Sequence, residues 1–214
     1  MSPDDVARFL KANPQFFDQH PDVLEKIHVP HPHGGRAIPL AERQTVQLRD
    51  KLRHAEGRLG ELIQFGEEND AISEKVHRLA VALAAARDFP ALTQSLYFHL
   101  REDFAVPHVA LRIWGKSVPA DFAEAQAVDD AQRRQAEAMS VPACGPAMGN
   151  PYVSWFSEAA EHLRSLALVP LGHGSVFGLL ALGSEDAKRF YPEMGTLYLR
   201  RIGELCAAGV TARL

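Results

Sequence analysis

Cysteine is scarce in this chain of 214 residues: there are two, Cys144 and Cys206. A disulfide framework is therefore not expected. Basic residues are not in excess, since the formal charge is −4. Affinity for a phosphate backbone needs a basic face, so nucleic acid is not an expected partner. Long apolar runs are missing as well. The longest, Leu79 to Ala86, falls far short of the roughly 20 residues of a membrane helix, so no membrane partner is expected. The first residues, MSPDDVARFL, have no charged lead-in before an apolar core and do not read as a signal peptide. A cytoplasmic location is the expectation. Neither a phosphate loop with lysine, nor a Gly-x-Ser-x-Gly elbow, nor a zinc-protease helix pair occurs. What is present is an ordinary globular composition, 46% apolar and 23% charged, enough for one good core with appendages.

The most informative stretch is Ser165 to Ser184, SLALVPLGHGSVFGLLALGS. Two apolar runs flank Gly172-His173-Gly174-Ser175, which predicts two strands joined by a tight turn. Both alternating faces are apolar, Leu166, Leu168 and Val176 on one set and Ala167, Val169 and Leu179 on the other. A sheet with such strands needs cover on both sides. His108 to Gly115 alternates as a further strand, with Val109, Leu111 and Ile113 opposite Ala110, Arg112 and Trp114. Around these lie a helix from Pro90 bearing Leu92, Leu96 and Leu100, and a weak strand near Ala123 to Val128. A helix from Asp129 to Met139, a Pro/Gly-rich stretch at 141–151 and a short aromatic helix at Trp155-Phe156 follow. A last amphipathic helix runs from Pro192 to Arg213. The order predicts an α+β layered domain over 88–214.

Residues 40–87 read as one long helix, roughly 70 Å at about 1.5 Å per residue. Its stripe positions step by three and four: Leu48, Leu52, Ala55, Leu59, Leu62, Phe65, Asn69, Ile72, Val76, Leu79 and Leu83. That is a coiled-coil seam with one three-residue discontinuity at Leu59-Leu62-Phe65. A lone helix with such a stripe is not stable, so a second copy of the chain is the expected partner. Asn69 either fixes register inside the seam or meets water. Upstream, residues 1–39 carry short helices begun by Ser2-Pro3-Asp5 and restarted at Asn13-Pro14 and His20-Pro21. Their small apolar faces cannot form a core alone and suit a protein partner. His28, His31 and His33 sit among prolines with no cysteine or carboxylate to complete a tetrahedral set, so a solvated loop is expected and no metal.

Several motifs carry a resemblance to a known family: NPQFF at 13–17, VPHPHGG at 29–35, LAERQ at 40–44, LRDKL at 48–52, Asn69, Cys144-Gly145, LVPL, GLLALGS, Arg189-Phe190 and Met194-Gly195. Over nearly its whole length the chain resembles the bacterial domain of unknown function 484 family, a GAF-like domain entered through a coiled-coil helix. Pro39 stands where that pattern has a serine cap. The resemblance implies a GAF-like antiparallel sheet flanked by helices and a dimer. It brings no reaction and names no cofactor.

Five residues are candidates for a ligand site. Arg112 offers a planar fork for an anionic metabolite or nucleotide beside Trp114, or else lies at the surface over that indole. Trp155 and Phe156 form either a lid or core. Cys144 is a nucleophile, redox thiol or chromophore anchor, or an inert thiol. These readings lead to a non-catalytic, homodimeric module that binds a small ligand. The alternatives are an interaction dimer without ligand and a thiol-dependent GAF-fold reductase.

Overall fold

The computed structural model describes residues 2–30, 37–172 and 174–214, with backbone alone at 24, 25, 28–30 and 37–42. His31, His33 and the turn residue His173 thus lie outside the described residues. The chain divides into two compact units, Met1–Glu67 and Glu68–Leu214.

In the first unit, α1 (Pro3–Ala12), α2 (Phe16–Gln19) and α3 (Pro21–Lys26) follow the proline restarts. Ser2 Oγ accepts the Asp5 amide at 3.2 Å and Asp5 returns the bond to the Ser2 amide at 2.9 Å, a reciprocal cap. These bonds hold the Asp5 carboxyl below its usual range. Phe9, Phe16 and Phe17 meet edge to face at 5.8 and 5.4 Å. Nothing in α1 or α2 is fully buried, as expected of helices too short to own a core. Strands β1 (His28–Pro30) and β2 (Ala37–Pro39) pair antiparallel, and α4 runs from Leu40 to Ala85.

The second unit holds a four-stranded antiparallel sheet in the order β3-β6-β5-β4. The strands are β3 (His108–Ile113), β4 (Ala143–Pro146), β5 (Ser165–Leu171) and β6 (Gly178–Ser184), with helices α5 (Phe89–Glu102), α6 (Asp130–Glu137) and α7 (Leu197–Thr211). Cover lies on both faces. Leu111, Ile113, Val169, Leu171, Leu180 and Leu182 share one core with Val76, Leu79 and Leu83 of α4 and with the apolar stripes of α5 and α7. Ala110, Leu168, Leu179 and Ala181 pack on the other side with Ala136 of α6 and Tyr152, and Trp114, Trp155 and Phe156 close over them. Asp88 caps α5 by accepting the Ala91 amide at 2.9 Å, and Asp129 caps α6.

Four local expectations need correction. The link between β5 and β6 spans 172–177, two residues longer than the turn expected. This register sets Leu179 opposite Pro170 and on the face of Leu168, away from Ala167 and Val169. Gly172 is required in the link: its φ is +141°, and a Cβ there would lie 2.0 Å from the Ser175 carbonyl oxygen. Residues 123–125 form a 3-10 turn in place of a strand, because the turn buries Glu124 against Tyr97, whose hydroxyl donates to Glu124 at 2.5 Å. The Pro/Gly-rich stretch supplies edge strand β4, where Pro146 lacks an N–H without cost to the ladder. The last helix begins at Leu197, after a turn in which the Met194 amide donates to Tyr191.

Candidate functional site

Arg112 projects from edge strand β3 and is 9% exposed, so it is buried and not a surface arginine. Its Nη1 donates to the Leu111 carbonyl at 2.9 Å and its Nη2 to Gln126 Oε1 at 2.7 Å. The guanidinium stacks on Trp155, 5.5 Å from the ring centre. Burial pulls its pKa below the usual arginine range, while Tyr97 and Glu124 pull the other way. Burial, then the Glu124 bond, pushes the Tyr97 hydroxyl up. Tyr97, Glu124, Arg112 and Gln126 thus form a polar group whose bonds close within the chain.

Of the five candidate residues, four share the sheet face of Ala110. Trp155 donates from Nε1 to Gln132 at 3.0 Å, and Trp114 donates to Glu137 at 3.1 Å. Tyr152, fully buried, meets Trp155 edge to face at 5.2 Å. Phe156 packs against the same cluster. Cys144 does not join them. It pairs with Ala167 in the ladder and packs toward the helix-covered core. Burial pushes its thiol upward, the opposite of what an attacking thiolate needs. Sequence reading missed Tyr97, Glu124 and Gln126. Tyr97 sits one residue past Leu96 and looks like the solvent side of an amphipathic helix, and no pattern marks a buried glutamate in a turn.

The stripe of α4 changes character along its length. Leu48, Leu52, Leu59, Leu62 and Phe65 are 57–66% exposed. Asn69 is exposed too, and its main-chain oxygen accepts the Tyr198 hydroxyl at 3.0 Å. From there on the stripe is covered by the chain itself: Val76, Leu79 and Leu83 are 8, 0 and 3% exposed in the core, and Ile72 packs against it. Val76, Leu79 and Leu83, expected in the seam, are thus buried by the chain's own core, and Ile72 is partly buried. One periodicity runs through an exposed part and a covered part, and a sequence pattern does not say where one gives way to the other.

The amino-acid sequence of this helix-flanked sheet and its long helix matches the model of a described family, "Protein of unknown function, DUF484", over residues 1–211. The chain belongs to the DUF484 family. It is similar to the uncharacterized protein YigA of Escherichia coli (strain K12), 24% identical over 204 residues that cover 92% of this chain and 86% of YigA. The Salmonella typhimurium LT2 YigA is 22% identical over the same span. Among solved structures, the GAF domain of A. aeolicus nlh2 in an inactive state superposes with a TM-score of 0.52 at 16% identity. The overlap covers 68% of this DUF484 chain and 99% of that domain. The fold is therefore GAF-like. Among the described residues, no helix is long and apolar enough to cross a membrane.

Proposed function

We propose that this DUF484 chain is a non-catalytic, homodimeric, ligand-responsive module of the cytoplasm. Its N-terminal helices form the surface offered to a protein partner. The observation that carries the reading is the exposed stripe Leu48-Leu52-Leu59-Leu62-Phe65 on a helix 46 residues long. A buried leucine is worth roughly 1.5–3 kcal/mol relative to an exposed one, so several of them in register favour pairing with an identical stripe. The second copy would cover the part of the stripe upstream of Asn69, and the chain's own core covers the part downstream. A ligand that favours one packing of that core over another would shift the equilibrium of the helix. The raised thiol of Cys144 supports a role without covalent chemistry.

Light scattering tests the dimer: the expected mass is twice the 23.6 kDa of the chain, and a monomer at micromolar concentration would sink it. A second reading, an interaction dimer without ligand, draws support from Arg112, whose fork is taken up by Leu111, Gln126 and Trp155. A thermal-shift screen of metabolites and nucleotides separates the two. Stabilisation by any compound favours the first reading, and none favours the second.

A further inference from the structure

The sheet face carrying Arg112 is occupied by the chain's own side chains, but the opposite, helix-covered side holds a cavity of about 560 Å³. That is within the range of small-molecule sites. Its walls are apolar, with Ile72, Leu100, Phe104, Leu182, Phe190 and Ile202 among them. Leu100 and Leu182 are essentially inaccessible to solvent, so this surface is core in kind, not rim.

Two cations share the wall with these side chains, Lys75 and Arg189. Arg189 donates through Nη2 to the Phe104 carbonyl at 2.5 Å and lies 5.5 Å from the centre of the Phe190 ring. Its Nε is buried and has no hydrogen-bond partner among the described residues. A buried charged donor left unmatched is costly and calls for an acceptor. Lys75 is half-buried, and among the described residues its side chain takes part in no ion pair. Among the described residues neither cation forms an ion pair with a carboxylate, although acidic residues outnumber basic ones, 27 to 23.

We infer that this cavity binds an anionic amphipath, a molecule with one acidic head held by Lys75 and Arg189 and an apolar body against Ile72, Phe104 and Ile202. This deepens, and rests on, the ligand-responsive reading above. An arginine fork matches a planar carboxylate, and lysine adds a point charge from the side. Apolar walls exclude a highly charged nucleotide, whose phosphates would lose hydration without enough donors to replace it. The site also touches α4 where its stripe passes from exposed to covered, since Asn69 lines the cavity and is bonded to Tyr198 on α7.

The test is calorimetric titration of the full chain with three probes below micellar concentration: decanoate, decanol and acetate. Decanoate should bind one per chain, decanol at least tenfold more weakly, and acetate without measurable heat. Lys75→Gln and Arg189→Gln should each weaken decanoate about tenfold. Gly195 lines the cavity, and a Cβ built on it meets nothing within 4 Å. Gly195→Leu should therefore fill the space and abolish binding while leaving the unfolding midpoint of the free protein in place. Equal binding of decanol and decanoate overturns the acidic head. Undiminished binding to Gly195→Leu overturns the location, and so does a stoichiometry of several per chain, which would report adsorption on the exposed leucines. If decanoate fails to bind but another compound stabilises a dimeric chain, this site is wrong and the ligand-responsive reading stands.

Discussion

Arg213 caps the end of the long helix through Ala86: its Nη2 and Nε donate to the Ala86 carbonyl at 2.6 and 3.0 Å. The same guanidinium reaches the Leu83 carbonyl at 2.9 Å and, on its own helix, the Gly209 carbonyl. The last carbonyls of a helix have no partner within it, and a cation there also meets the negative end of the dipole. Arg213→Ala should lower unfolding free energy by about 2–4 kcal/mol in urea denaturation, from the loss of several charge-assisted bonds. Arg213→Lys should recover less than half, because a point ammonium cannot span carbonyls on two helices.

Leu52 and Leu59 are more than half exposed in the single chain. Leu52→Glu with Leu59→Glu should convert the proposed dimer into a monomer by light scattering, since facing carboxylates would repel in the seam. Circular dichroism should show loss of helix as well, because an unpaired stripe of this kind does not hold a helix. A Val76→Ala control acts inside the chain's own core; it should cost stability without changing mass.

Arg112 is the cation that offsets the charge of Glu124, itself 4% exposed. Arg112→Met should cost about 2–4 kcal/mol, mostly by leaving a buried carboxylate unopposed. Adding Glu124→Gln should return more than half of that loss in a double-mutant cycle. Simple additivity of the two changes would show that they do not interact.

Thiol labelling separates the two cysteines. Burial pushes Cys206 up to about 12 and raises Cys144 to a smaller degree. At pH 7.5 a disulfide reagent should modify Cys144 slowly and leave Cys206 untouched until denaturant is added. Rapid labelling of Cys144 would reopen the thiol chemistry set aside above.

Asp103 ties α5 to α4, accepting from the His99 ring at 2.6 Å and from Arg78 at 3.3 Å. The His99 bond, with help from Arg78, holds its carboxyl below the usual range. A depressed carboxylate stabilises the fold at pH above its unfolded value near 3.9, and that contribution disappears as pH falls through the lower folded value. Asp103→Asn should therefore be less stable than the parent at pH 7, with the gap closing below about pH 4. A gap that persists at pH 2 would assign the loss to packing.

The sheet with two buried faces was legible because Leu, Val and Ala fill consecutive positions at Ala167–Val169 and Leu179–Ala181. Only a strand covered on both sides tolerates that pattern. The caps at Ser2 and Asp129 were equally open to reading, since each depends on residues three or fewer apart. Edge strand β4 and the turn at Ala123–Ala125 were not. The first has a composition that signals loop, and the second exists because Glu124 reaches a tyrosine 27 residues away.

By itself, then, the sequence determined the family, most of the elements and the stripe along α4, all of which are written in local periodicity and motif spacing. Tertiary structure alone decided which half of that stripe the chain covers for itself, that Cys144 and Arg112 face opposite sides of the sheet, and where open space remains. Those outcomes depend on contacts between residues far apart in the chain. Steps of three and four run along α4 on both sides of Asn69, and they cannot tell a core from a seam.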